Sequence, residues 1–147
     1  MLFHRTRLRL GYARVVLLCA ALAGGPAIAE VVVIANKAAS ESMSKEQVSD
    51  IFMGKASALP GGGAAAPHDL PENSALREEF YSKLTGKSAA QVKSYWAKMA
   101  FTGKGIPPKE GASSAEVVKA VAGTPGGIGY VEKAAVDGSV KSVLTLN

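Results

Sequence analysis

Three times in this chain a serine is followed, three residues on, by glutamine or glutamate just ahead of an apolar run: Ser44–Gln47, Ser88–Gln91 and Ser113–Glu116. That spacing lets a serine hydroxyl and the later side chain satisfy each other's backbone N–H groups, which marks a helix start. Between and around these starts lie β-branched stretches, EVVVIAN at 30–36 and IGYVE at 128–132. Helices set among strands point to an α/β domain whose helices cover a small mixed sheet.

The first stretch does not alternate, which suggests a strand buried on both faces at the centre of a mixed or parallel sheet. After Ser44, apolar Val48, Ile51 and Phe52 share one helix face, and Gly54 is placed to end it. Residues 56–67 are rich in Ala, Gly and Pro and read as a loop, with a weak strand at 64–68. A helix over Ser74–Leu84 carries Leu76, Phe80 and Leu84 on one face and stops at Gly86. The next, from Ser88, turns Val92, Tyr95, Trp96 and Met99 inward, so the pair forms a helical hairpin. FTGKGIPPKE at 101–110 reads as an ordered loop, and Ser113 opens a helix closing at Gly123. A strand at 128–132, a helical turn at 133–136, an Asp137-Gly138 turn and a strand at 140–146 complete the order.

The first 29 residues are of another kind. Arg5, Arg7, Arg9 and Arg14 precede an apolar core, VVLLCAALAGG, and Ala27-Ile28-Ala29 forms a small-x-small cleavage site. This is the pattern of a secretory signal peptide over 1–29, with a domain at 30–147 that is periplasmic or secreted after cleavage near Ala29. The apolar run falls short of the roughly 20 residues that span a bilayer. Cys19, the sole cysteine, lies in that leader, so no disulfide or thiol chemistry is expected in the exported domain. Four of the 17 Lys and Arg also lie there, leaving 13 against 12 Asp and Glu, a net charge of +1. Nothing in that balance suggests a nucleic-acid partner.

Enzyme signatures are missing. Beyond the leader there is one histidine, His68, and neither a G-x-S-x-G elbow nor paired metal-ligand spacing, so no catalytic residue, metal or cofactor is expected. The segment HDLPENSALREEFY at 68–81 is more specific. A helix starting at Asn73 or Ser74 exposes unpaired N–H groups and the positive end of its dipole, and Arg77 could add a bidentate fork, so the stretch reads either as an ordinary helix start or as a seat for an anion. The Thr124-Pro-Gly-Gly127 stretch is a second candidate, because Gly126 and Gly127 permit close approach by a ligand or by another chain segment. Lys104, between two glycines, reads as an exposed loop lysine, and Trp96 as core packing.

DIFMGK at 50–55, NSALREEF at 73–80 and TPGGIGYVE at 124–132 together resemble the substrate-binding proteins of phosphate ABC importers, and the similarity covers most of residues 30–147. Short, single-domain exported members of that family share loops like FTGKG and PPKE. The resemblance implies a single small lobe of periplasmic-binding-protein type. It also implies phosphate or another oxyanion as ligand, held by hydroxyls, helix N-terminal amides and an arginine, with an ABC transporter membrane complex as partner. Ser74 matches the family's serine, whereas Ala75 and Leu76 stand where the family has Gly-Thr, so Arg77 would serve in place of an arginine that precedes that serine. The expected ligand residues are therefore Asn73, Ser74, Ala75, Leu76, Arg77, Gly126 and Gly127. Two readings follow: a non-enzymatic oxyanion-binding domain for uptake or sensing, or a single lobe of the same fold that binds a protein or another copy of itself.

Overall fold

A computed structural model describes residues 30–39 and 42–147; the expected signal peptide lies outside the described residues. Five strands form one mixed sheet: β1 (Val31–Ala35), β2 (Ala66–Asp69), β3 (Lys109–Glu110), β4 (Gly127–Glu132) and β5 (Lys141–Leu146), in the order β3-β2-β4-β1-β5. β1 runs antiparallel to β4 and β5, while β2 runs parallel to β3 and β4. All five residues of β1 are buried, as its unbroken apolar run requires of a strand covered on both faces.

The α-helices among the described residues are α1 (Lys45–Phe52), α2 (Ala75–Thr85), α3 (Ala89–Phe101) and α4 (Ser114–Gly123). Ser44 and Ser88 form complete capping boxes with Gln47 and Gln91. At α4 only half the box forms: Ser113 accepts from the Glu116 N–H, but the Glu116 carboxylate turns to the Ala112 N–H instead. Thr124 closes α4 in an extended conformation, and Asn36, just past β1, donates its side-chain amide toward the carbonyls of Val121, Ala122 and Thr124.

Alternation along β4 assigns the two layers. Gly129 faces α4, where a Cβ would lie 2.7 Å from Val117 Cγ1, so a side chain there would push the helix off the sheet. Tyr130 faces the other way, stacked on Phe80 of α2 with ring centroids 3.8 Å apart and edge-on to Phe52 of α1. α4 thus covers one face and α1 with α2 the other. α3 lies against α2 and is tied to the end of α1 by Trp96 Nε1 donating to the Phe52 carbonyl and the Tyr95 hydroxyl donating to that of Met53.

The weak strand expected at 64–68 forms as β2 at 66–69, Pro67 included. The structure corrects the reading of 101–110 as loop throughout, since PPKE contributes β3, which pairs His68 with Lys109 and Asp69 with Glu110. Of the four α3 residues expected inward, Val92 and Trp96 are buried, while Tyr95 and Met99 are half-buried.

Candidate functional site

β2 ends at Asp69, and Leu70 and Pro71 lead into the start of α2. Ser74 is the N-cap: its hydroxyl accepts from the Arg77 N–H at 3.3 Å. Arg77 sits one turn in, and its side chain turns toward the sheet with 6% exposure. Nη1 donates to the Leu70 carbonyl and to Glu110 Oε1, both at 2.9 Å, and Nε lies 3.8 Å from Asp69 Oδ1. The guanidinium also stands 5.8 Å from the centroid of the Tyr81 ring. Burial alone would lower the Arg77 pKa, but Asp69 and Glu110 outweigh it and hold the group firmly cationic.

Asp69 is the hub of this network, accepting from the Tyr81 hydroxyl at 2.6 Å, the Tyr130 hydroxyl and the Leu70 N–H. Burial pushes its carboxyl above the usual range, against these donors and Arg77. Burial, and then the Asp69 charge, push both tyrosines far above theirs, so they remain donors. Arg77 is therefore already matched by two carboxylates; its side-chain hydrogen bonds run from Nη1, while Nε is buried without a hydrogen-bond partner.

The amides at the helix start are differently placed. Among the described residues the N–H groups of Asn73, Ala75 and Leu76 have no hydrogen-bond partner, nor does the exposed Asn73 side chain. The neighbouring carboxylates are engaged: Glu72 takes Lys93 Nζ at 2.8 Å, and Glu78 takes the Ala89 N–H at 2.9 Å.

Gly126 and Gly127 lie at the other end of the sheet. Register places Ala35 beside Ile128 and Ala66 beside Gly127, so that end gathers the close of β1 and the starts of β2 and β4. The start of α2 follows the far end of β2, three strand steps or about 10 Å away, more than one small anion spans. Segments of the chain itself make the close approach that both glycines permit. Gly126 has φ +76°, and a Cβ on it would lie 1.9 Å from the Ala64 carbonyl oxygen. One on Gly127 would meet the Val121 oxygen at 2.8 Å. A groove of about 390 Å³ does open here between Gly126, Pro125, Ala38 and the Gly61–Gly63 turn, and the described residues that wall it carry no charged or hydroxyl side chain.

His68 shows no catalytic arrangement. It is buried, Nε2 has no partner, and no serine or carboxylate among the described residues hydrogen-bonds its side chain. Burial, then the Lys109 cation, lowers its pKa below 6.5. The unfolded chain therefore binds more protons than the native one below pH 6.5, so stability present above that pH is lost as pH falls. Urea midpoints of the wild type should drop as pH falls below 6.5, and His68→Gln should flatten that drop. The contribution of Asp69 is common to both proteins and cancels; parallel profiles would contradict the assignment.

No protein-family model and no curated protein matches this sequence. Solved structures do. A protein of Clostridium perfringens assigned to the phosphate ABC transporter substrate-binding class, with bound phosphate, matches with a TM-score of 0.64 and 21% identity over 78% of this chain. An ABC-type phosphate transport receptor from Vibrio cholerae matches at 0.62 and 17%, and PstS from Borrelia burgdorferi at 0.58 and 14%. The architecture is thus the periplasmic-binding-protein fold. The chain spans 44%, 45% and 47% of those three proteins respectively.

Proposed function

We propose that this chain is an exported, non-enzymatic solute-binding domain for phosphate or a similar oxyanion, serving ABC-type phosphate uptake or sensing with a membrane transporter as partner. The anion sits at the start of α2, on the N–H groups of Ala75 and Leu76 beside Asn73, with Ser74 holding the helix start in shape. The observation that carries this reading is the set of unclaimed donors there, at the positive end of an 11-residue helix. The fold it shares with a phosphate-bound structure supports it. Arg77 acts as the internal counter-charge of Asp69 and Glu110, and Gly126 and Gly127 shape the far end of the sheet.

This arrangement has consequences for strength. A helix start contributes about 0.3–1 kcal/mol and each hydrogen bond to a charged group about 1.5–3 kcal/mol, so this lobe should hold phosphate with a Kd in roughly the millimolar range. Ala75→Pro is the sharpest variant. Proline is tolerated at the first helical position, and Ser74 already has the extended conformation that a following proline requires, so the helix stays and one donor goes. Calorimetric titration with phosphate and sulfate should show binding in the parent and about tenfold weaker binding in Ala75→Pro at unchanged helicity. No heat from either anion in the parent would refute the proposal.

A further inference from the structure

Phe101 and Ile106 are 93% and 89% exposed, the two large hydrophobic side chains left fully in solvent among the described residues. The segment that carries them is pinned. Gly103 N–H donates to the Ala100 carbonyl and Lys104 N–H to that of Met99, and the Thr102 hydroxyl donates to the Lys98 carbonyl. Gly105 lies on the Trp96 ring so closely that a Cβ would be 3.2 Å from Cζ3. The two side chains thus stand outward on a fixed scaffold.

A hollow adjoins this knob on both sides of the chain. Ala97 and Ala100, just before Phe101, and Pro107 and Pro108, just after Ile106, wall a cleft of about 340 Å³ with Trp96 behind them. Charges divide in the same way. Lys98 and Lys104 beside the knob have no ion pair among the described residues. Glu72 and Glu110 border the cleft half-exposed, each with one oxygen engaged, by Lys93 and Arg77 respectively.

We propose that this face joins two copies of the chain about a two-fold axis, with Phe101 of each copy seated in the other's cleft and the knob-side lysines facing the cleft-side glutamates. A lysine-flanked knob beside a hollow whose lining carries three carboxylates, Asp69, Glu72 and Glu110, against two cations, Arg77 and Lys93, has the self-complementarity that an isologous contact needs, since each residue that inserts must also receive. A buried aromatic anchor is the residue type that dominates such contacts, and here Trp96, Ala97, Ala100, Pro107 and Pro108 supply the apolar part of the wall. The cleft-side carboxylates argue against an anionic membrane as the occupant. The cleft adjoins the anion seat through Glu72 and Arg77, but the readout of the contact is mass rather than phosphate binding.

Sedimentation equilibrium on protein purified from expression of the whole chain should show reversible dimerisation. Phe101→Asp removes the knob and Ala97→Trp fills the hollow; both positions are solvent-exposed, so thermal midpoints of the dilute monomer should not change. Each variant should weaken dimerisation at least about tenfold. A parent that stays monomeric up to about 1 mM would overturn the proposal. So would a dimer that both variants leave intact, or monomers that bind anionic vesicles through Phe101.

Discussion

Arg77→Ala is expected to destabilise the protein by about 3 kcal/mol, the lower end of the range for removing one partner of a buried ion pair. Three groups lose their counterpart: the Asp69 carboxylate, whose side chain is 3% exposed, the Leu70 carbonyl, and Glu110, whose 51% exposure lets water compensate and keeps the figure at the low end. Urea denaturation should show a lower midpoint with an unchanged slope. Pairing the change with Asp69→Asn should recover part of the loss, because the second substitution removes the stranded charge. If Arg77→Ala instead left stability intact while abolishing phosphate binding, the guanidinium would be a ligand and not a brace.

Gly126→Ala should cost about 4 kcal/mol, from two sources. A non-glycine residue at φ +76° is strained by about 1 kcal/mol or more. The added methyl also meets backbone, the Ala64 carbonyl, which can withdraw only by moving the strand that pairs Ala66 N–H with the Gly126 oxygen. Gly123→Ala is the control: nothing lies within 4 Å and φ is not positive, so helix propensity should give a gain of about 0.5–1 kcal/mol. Thermal melts of the two variants should move in opposite directions. A Gly126→Ala protein as stable as the parent would mean that the turn repacks freely.

Much of the fold was legible because its signals are local. β1 and β4 are β-branched runs, Ser44 and Ser88 carry complete boxes, and Gly86 ends α2 in the left-handed conformation expected of it. What stayed hidden depends on partners distant in sequence. β3 is two residues long, exposed, and preceded by two prolines, so neither periodicity nor propensity marks it. β2 was legible only as a weak strand in an Ala-, Gly- and Pro-rich stretch, because its place between β3 and β4 is set by those distant strands. Asn36 gave no sign that it would reach α4 some 85 residues later.

The site divides along the same line. The start of α2 at Ser74 was readable from HDLPENSALREEFY, since capping is a matter of three adjacent residues. The direction of Arg77 was not, because Asp69 and Glu110 meet it only once β2 and β3 pair in parallel. Arginine in a helix's first turn runs against the dipole, an anomaly that pointed to a nearby anion; here that anion role is filled by the protein's own carboxylates. TPGGIGYVE raised the same two options, and Ala64 is the segment that approaches.

Amide chemical-shift mapping of the labelled protein during phosphate titration, with chloride as the ionic-strength control, separates these roles residue by residue. Saturable shifts centred on Asn73, Ala75 and Leu76, with Gly126 and Gly127 unmoved and the Arg77 side chain still paired to Glu110, are the result expected. Shifts centred on Gly126 and Gly127, or none that phosphate produces and chloride does not, would contradict an oxyanion seat at the start of α2.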